Sequence, residues 1–210
     1  MTDEALCRGA QALGISLQQP AIAQLIRLLD LLAKWNRVYN LTAIREQSRW
    51  VTDHLLDCLS VVPQLPPGCV ADVGSGAGFP GLPIAVACPA RKVSLVESSS
   101  KKGAFLQQAV ADLELANAEV AVTRVETYRP ERGFDVVISR AFAELPEFVR
   151  AARHLCAPNG RLLAMKGTYP DEEIAQLPAE AVERVIQLEV PMLQAQRHLV
   201  VINPAALTRR

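Results

Sequence analysis

Several residue types and patterns are scarce in this 210-residue chain. The five cysteines are odd in number, scattered and never spaced as C-x-x-C, which argues against a metal centre and against a disulfide framework. The three histidines, His54, His154 and His198, are too dispersed to indicate a metal site. No apolar run approaches the roughly 18 residues that span a membrane, and the N-terminus lacks the basic and apolar regions of a signal peptide. We therefore expect a reduced, cytoplasmic protein that binds neither a metal nor a membrane.

A surplus of charge is also missing, because 22 basic residues balance 22 acidic ones. Strongly electrostatic nucleic-acid binders are usually basic, so any nucleic-acid partner must be recognised through a local patch or through its shape. Residues 34–50 form one such patch, with four basic side chains and a single acidic one. Half of all residues are hydrophobic, and the length is sufficient for one domain with a substantial core.

The spacing of hydrophobic residues changes near residue 66. Before that point, apolar residues recur every three or four positions, which predicts helices over 2–14, 20–39 and 46–62. After a break that is rich in proline, short apolar strands alternate with helical stretches. The predicted strands cover 69–73, 92–97, 118–122, 134–139, 160–165, 182–190 and 198–203, and the predicted helices cover 81–87, 101–114 and 144–154. This order predicts an α/β fold over 66–210, a mostly parallel sheet with helices on both faces, preceded by an N-terminal helical extension over 1–65.

A glycine-rich turn follows the first predicted strand. Gly74, Gly76 and Gly78 let the backbone approach a ligand closely, and the helix after them directs its free N–H groups to the same place. The spacing also matches the dinucleotide pattern G-x-G-x-x-G, with Glu97 about 20 residues further on. However, the carboxylate of Asp72 lies where a pyrophosphate would bind, and it suits a cationic ligand such as S-adenosylmethionine better. A glycine turn without any ligand is the third alternative.

The ends of the later strands carry further candidates, because ligands of open α/β sheets bind at the carboxyl ends of the strands. Glu97 can accept hydrogen bonds from ribose hydroxyls, Val125 and Glu126 can cover an adenine, and Arg140 is expected to face the reaction centre. Each also has a simpler interpretation. Glu97 could begin a solvated loop, Glu126 could be a surface charge, and Arg140 could be the partner in a structural salt bridge.

Six blocks of sequence together identify a family. They are Lys34–Thr42 (KWNRVYNLT), His54–Asp57 (HLLD), Asp72–Gly81, Val137–Ala143 (VISRAFA), Lys166–Gly167 and Arg197–Ile202. In these blocks the chain resembles the bacterial small-subunit ribosomal RNA methyltransferase G family, also called GidB (glucose-inhibited division protein B). The blocks occur in order across nearly the whole chain, and the first is far more specific than the glycine turn.

The resemblance implies a class I (Rossmann-like) methyltransferase that transfers a methyl group from S-adenosylmethionine to N7 of a guanine in the decoding-region loop of 16S ribosomal RNA. It implies cofactor contacts at Gly74, Phe79, Val125, Glu126 and Arg140. We expect residues 1–65 to recognise the substrate. The near-zero net charge favours a small ribosomal subunit or an assembly intermediate as substrate, and we expect a monomer. An NAD-dependent oxidoreductase and a non-catalytic ribosome-binding module remain the alternatives.

Methylation of N7 needs no general base, because this nitrogen already has an unprotonated lone pair. The enzyme mainly has to align the reacting atoms and exclude water. Arg140 is the one candidate catalytic residue, and it could orient the guanine through O6 or bind a phosphate. The sequence Ser-Arg-Ala-Phe replaces the polar acceptors expected for amine methylation, and no cysteine follows a proline as expected for methylation of pyrimidine C5.

Basic, aromatic and amide side chains supply candidates for RNA binding. Phosphate contacts from such basic residues make affinity dependent on salt, and an exposed aromatic ring can stack on a base. Trp35 and Tyr39 could instead pack in the core, and Asn36 and Asn40 could shape the turn. The candidates are Lys34, Arg37, Tyr39, Asn40, Arg45, Lys101, Lys166, Arg197 and His198.

Overall fold

The computed structural model describes residues 2–142 and 144–208, and a seven-stranded sheet lies at its centre. The order of the strands across the sheet is β3-β2-β1-β4-β5-β7-β6. The strands are β1 Val70–Val73, β2 Val93–Glu97, β3 Ala118–Val122, β4 Phe134–Arg140, β5 Cys156–Lys166, β6 Val182–Gln187 and β7 His198–Ile202. The predicted α/β fold is therefore confirmed, including the pairing of the last two strands, which is antiparallel.

Seven α-helices accompany the sheet in the described part of the chain. They are α1 Thr2–Ala12, α2 Gln19–Tyr39, α3 Asp57–Leu59, α4 Gly81–Ala87, α5 Ser100–Asp112, α6 Leu145–Ala152 and α7 Asp171–Ile174. The longest, α2, has Pro20 in its first turn, and its C-cap is Asn40, whose φ of 48° is left-handed. Proline is favourable at the start of a helix, and asparagine tolerates this conformation better than most residues.

The helix predicted over 46–62 is wrong in its details. A 3₁₀ turn over Gln47–Arg49 is followed by a π-helical segment, Val51–Leu56, and then by the single turn of α3. Hydrophobic spacing over so short a stretch does not distinguish a π-helical turn from an α-helical one, and π-helical turns often occur at functional sites. Here the segment buries the polar side chains of Asp53 and His54.

Strands β1 to β5 are parallel, and β7 is antiparallel to β5. The chain order reverses at β1, which lies between β2 and β4. Two predicted strand boundaries are wrong by more than one residue. Strand β5 begins at Cys156 instead of residue 160, and β6 ends at Gln187 instead of residue 190. Because ligands of such sheets bind where the strand order reverses, the carboxyl end of β1 is the expected position of a site.

The hydrophobic core lies on both faces of the sheet, as predicted. One cluster joins Leu32 of α2 and Leu55 of the π-helical segment to Leu82 of α4 and Phe105 of α5. The other packs Phe148 of α6 against strand residues. The segments before residue 66 thus share a core with the sheet. None of the helices in residues 2–142 and 144–208 has the length and apolar character needed to cross a membrane.

Candidate active site

The turn after β1 needs glycine at three positions. Gly74, Gly76 and Gly78 have φ values of 68°, 59° and 82°, in the region that strains residues with a Cβ. A Cβ on Gly78 would also lie 2.2 Å from Leu82 Cδ1, whereas the nearest atom to a Cβ on Gly76 would be 3.8 Å away. Ser75 Oγ donates to the Asp72 carbonyl at 2.7 Å, which closes the turn. Gly78 therefore serves packing, and Gly76 leaves an open cradle.

Asp72 lies beneath this turn and has no exposed surface. Its Oδ2 accepts a hydrogen bond from the Gly81 amide at 2.9 Å. Its Oδ1 has no hydrogen-bond partner within the described residues. Burial raises the pKa of this carboxyl from 3.8 to about 7. An unpartnered acid beneath a glycine cradle fits a cationic ligand and disfavours a phosphate, so these residues fit S-adenosylmethionine.

Glu97, at the end of β2, accepts hydrogen bonds from two backbone segments. Its Oε2 accepts from the Gly76 amide and its Oε1 from the Ser99 amide, each at 2.8 Å. The side chain is 5% exposed, so the alternative that Glu97 simply begins a solvated loop does not describe it. A contact from Glu97 to a ribose stays a prediction.

Two further candidates lie beyond the carboxyl end of β3. Val125 and Glu126 belong to a 3₁₀ turn over Val125–Thr127. Val125 is buried and Glu126 is exposed, so the surface-charge alternative for Glu126 remains compatible with the structure. Phe142 follows β4, and its Cδ2 lies 3.6 Å from where a Cβ on Gly74 would be. An aromatic ring therefore borders the cradle.

Arg140, at the end of β4, is held on several sides. Its Nη1 donates to the Asp57 carboxylate and to the Asp53 carbonyl, both at 3.1 Å. Its guanidinium also lies over the ring of Phe79, 5.2 Å from the centroid. The structural salt bridge considered from sequence is thus present, with Asp57 as the partner. The catalytic role of Arg140 stays a prediction.

His54 joins Arg140 to the block that begins at Lys34. Its Nδ1 lies 3.3 Å from Arg140 Nη2, and its Nε2 lies 2.9 Å from Thr42 Oγ1. Burial, with a smaller contribution from the Arg140 charge, lowers the pKa of His54 to about 3. The ring is therefore neutral, so Nδ1 accepts from Arg140 and the proton is on Nε2. The imidazole also stacks on Phe79, with centroids 4.6 Å apart.

Sequence reasoning did not assign roles to His54, Asp57 or Thr42. The available signal was that the HLLD and KWNRVYNLT blocks each contain polar residues among apolar ones. The structure shows why the blocks belong together. Asn36 Oδ1 accepts from the Thr42 amide at 3.0 Å, which fixes the turn after α2 and places Thr42 beside His54.

The RNA candidates of the first block lie at the end of α2 and in the turn after it, and all five are exposed: Lys34, Arg37, Tyr39, Asn40 and Arg45. Tyr39 is 44% exposed, with its ring centroid 5.2 Å from that of Trp35. Trp35 itself packs edge-on against Phe105 and donates to Gln108 at 3.0 Å. The packing alternative thus describes Trp35, while Tyr39 is exposed and its stacking on a base stays a prediction.

The remaining RNA candidates differ in their exposure. Lys101 is exposed in the first turn of α5. Lys166 forms a 2.7 Å ion pair with Glu173. His198 is 6% exposed, and its Nδ1 lies 3.1 Å from the Gly167 carbonyl. These contacts give Lys166 and His198 roles in holding the chain after β5, and their contact with RNA stays a prediction.

Arg197 is the last of these candidates. Its Nε donates to Asp57 at 2.8 Å, so Asp57 receives two arginines. Ala143, which ends the VISRAFA block, lies outside the described residues.

The fold matches solved methyltransferases. A SAM-dependent methyltransferase from Aquifex aeolicus aligns with a TM-score of 0.57 and 18% identity, over 78% of this chain and 97% of that one. A TehB-like SAM-dependent methyltransferase from Corynebacterium glutamicum aligns with a TM-score of 0.55 and 15% identity, over 83% and 97% of the two chains. At these identities the likeness establishes the class I methyltransferase fold.

The sequence comparisons are more specific. The family model described as GidB, rRNA small subunit methyltransferase G, matches residues 21–200. A ribosomal RNA small subunit methyltransferase G from Laribacter hongkongensis is 50% identical over 198 residues, covering 94% of this chain and 96% of the relative. The protein of the same name from Chromobacterium violaceum is 52% identical over 197 residues, covering 93% and 94%. The chain belongs to the GidB family of rRNA small subunit methyltransferases.

Proposed function

We propose that this protein transfers a methyl group from S-adenosylmethionine to N7 of a guanine in the decoding-region loop of 16S ribosomal RNA. The observation that carries the proposal is the glycine cradle with the unpartnered carboxylate of Asp72 beneath it, in a chain of this family. The same carboxylate disfavours the pyrophosphate of NAD, so an oxidoreductase fits the site less well.

Residues at three strand ends, those of β1, β2 and β3, would hold the methyl donor. The turn from Gly74 to Gly78, with Asp72 beneath it, receives the cationic amino-acid part. Glu97 receives the ribose, and the turn at Val125 and Glu126 lies beside the adenine. When bound, S-adenosylmethionine supplies an electrophilic methyl group on a sulfonium.

The polar side chains in contact with Arg140 are suited to positioning and not to proton transfer. His54 has both nitrogens in hydrogen bonds and a pKa of about 3, so it does not serve as a base near neutral pH. Asp57 is ion-paired with two arginines. Guanine N7 reacts through a lone pair that carries no proton, and alignment of the reacting atoms supplies the rate enhancement. A target that must lose a proton would need a base that these residues do not provide.

RNA is proposed to bind along the exposed end of α2 and the turn after it. Lys34, Arg37 and Arg45 contact phosphates, and Tyr39 stacks on a base. Because the chain as a whole is neutral, we infer that the substrate is a ribosomal particle or an assembly intermediate, bound by a monomer in the cytoplasm.

The test is methyl transfer from labelled S-adenosylmethionine to unmodified small ribosomal subunits, followed by digestion to nucleosides. We expect the label in 7-methylguanosine. Label in another nucleoside would contradict the proposed base while keeping the methyl donor. Binding of small subunits without any transfer, in the presence of bound S-adenosylmethionine, would instead favour the non-catalytic ribosome-binding module.

A further inference from the structure

Asp57 is the residue through which the N-terminal segments, β4 and the start of β7 meet. It is 3% exposed, yet it accepts hydrogen bonds from Arg140 on Oδ2 and from Arg197 on Oδ1. A buried carboxylate is costly unless it is paired, and the two guanidinium groups satisfy both of its oxygens. Neither composition nor local spacing indicates that these three residues are neighbours.

The two arginines are held to very different degrees. Arg140 contacts the Asp53 carbonyl, the His54 ring and Phe79 in addition to Asp57. The hydrogen bonds of the Arg197 side chain reach another element only through Asp57, because Nη1 donates to the carbonyl of the neighbouring Gln196. The Nη2 group of Arg197 makes no hydrogen bond in residues 2–142 and 144–208. Arg140 therefore anchors Asp57, and Asp57 orients Arg197.

We propose that Asp57 is a positioning residue that fixes Arg197 to bind a phosphate of the substrate RNA. With Nε committed to Asp57, the guanidinium plane is set, and Nη2 of this partly exposed side chain remains for a phosphate at the carboxyl edge of the sheet. Arginine suits this arrangement because one planar group can bind a carboxylate and a phosphate at once, whereas the single ammonium of lysine cannot. This inference rests on the proposed function, since it takes RNA as the substrate.

The test compares five variants of the full chain: Asp57→Asn, Arg197→Gln, Arg197→Lys, the double variant of the first two, and Glu183→Gln. Glu183 is the matched control, because its carboxylate also pairs with an arginine, Arg161, but near the opposite edge of the sheet. Two quantities are measured on unmodified small subunits, the binding constant from filter binding across a range of salt concentrations and the KM of methyl transfer. The dissociation constant for S-adenosylmethionine and the melting temperature are measured alongside.

We expect Asp57→Asn, Arg197→Gln and Arg197→Lys each to weaken subunit binding and raise KM by about tenfold, with S-adenosylmethionine binding changed by less than about threefold. Arg197→Gln should lower the slope of log affinity against log salt by about one phosphate contact. The double variant Asp57→Asn with Arg197→Gln should bind no more weakly than either single variant, because both remove the same contact. Glu183→Gln should bind subunits as tightly as the protein without substitutions.

Three results would overturn the inference: normal affinity in Arg197→Lys, multiplied effects in the double variant, or an unchanged salt slope in Arg197→Gln. If Asp57→Asn does not fold, the two Arg197 variants still test the inference. Normal affinity in Arg197→Lys with weakened affinity in Arg197→Gln would overturn it. Failure of the proposed function has a separate signature. In that case the protein without substitutions would transfer no methyl group. The binding measurements would still show whether Arg197 contributes to subunit binding.

Discussion

Two ionisable side chains next to the glycine turn have pKa values far from normal, in opposite directions. The pKa of Asp72 is raised to about 7 and the pKa of His54 is lowered to about 3, and burial is the main cause of both shifts. Burial disfavours the charged form of each group, so both are neutral over part of the range in which the free side chains are charged. Each shift therefore makes a measurable property depend on pH.

For His54 that property is stability. The unfolded chain takes up a proton at its ordinary pKa of 6.5, whereas the folded chain does so only near pH 3. The free energy of unfolding should therefore fall as the pH drops from 6.5 towards 3. Nitrogen NMR of the imidazole should show a neutral ring with the proton on Nε2 at pH 5. A charged ring at pH 5 in the folded protein would contradict this assignment.

For Asp72 the change to measure is Asp72→Asn. The folded carboxyl keeps its proton to about pH 7 whereas the unfolded one loses it near 3.8, so stability is lost as the pH rises through this window. We expect Asp72→Asn to be more stable than the protein without substitutions at pH 8, by on the order of 4 kcal/mol, and equal to it near pH 3. Denaturant unfolding of both proteins at the two pH values checks this. His54 contributes equally to both proteins, so its effect cancels in the difference between them.

The same substitution should also weaken binding of S-adenosylmethionine. A cationic ligand favours the ionised carboxylate, so affinity in the unmodified protein should rise with pH through about 7, and Asp72→Asn should abolish that rise. Calorimetric titration at several pH values measures it. An unchanged affinity in the variant would remove Asp72 from the binding site.

At the scale of the structural elements, Gly76 and Gly78 in the turn between β1 and α4 differ in the space around them. Gly78→Ala places a Cβ against Leu82, in addition to a left-handed φ, and should lower the free energy of unfolding by about 3 kcal/mol. Gly76→Ala has the same backbone strain but open space around its Cβ, and should cost only about 1 kcal/mol. Yet it should weaken S-adenosylmethionine binding more than its small stability change explains.

Denaturant unfolding and calorimetric titration of the two variants check this contrast. The outcome that would contradict it is a Gly76→Ala variant with normal affinity for S-adenosylmethionine. The space beside Gly76 would then not be where the methyl donor lies.

The order of helices and strands was predictable because it depends on the spacing of residues that are close in sequence. Strand alternation after residue 66 and the glycine turn gave the sheet and the position of the site, since strand ends of a parallel sheet lie at one edge. The contact of Asp57 with Arg197 was not predictable, because it joins residues 140 positions apart. The π-helical segment was missed for a different reason, since its hydrogen-bond pattern leaves little trace in so short a sequence. The short helix α7 is below the length at which hydrophobic periodicity is informative.

For the whole molecule, the division at residue 66 describes a change of architecture within one shared core. Leu32 of α2 is fully buried in the cluster that contains α4 and α5. We expect Leu32→Ala to destabilise the full chain by about 3 kcal/mol, whereas Val38→Ala, at a 69% exposed position of the same helix, should cost less than about 0.5 kcal/mol.

Amide hydrogen exchange of β1 and β4 shows whether the two parts unfold together. In a cooperative molecule, Leu32→Ala lowers the exchange free energy of these sheet amides by the same amount as the global stability. Unchanged protection of the sheet amides would mean that residues 1–65 unfold as a separate domain.

The position of β7 between β5 and β6 has a consequence for the newly made chain. On the ribosome β6 emerges before β7, but in the sheet it has no partner until β7 has been inserted beside it. Until residues 198–202 leave the exit tunnel, the edge of β5 stays open and Arg197 cannot reach Asp57. Closure of this sheet edge and formation of the Asp57–Arg197 contact therefore both depend on the emergence of β7.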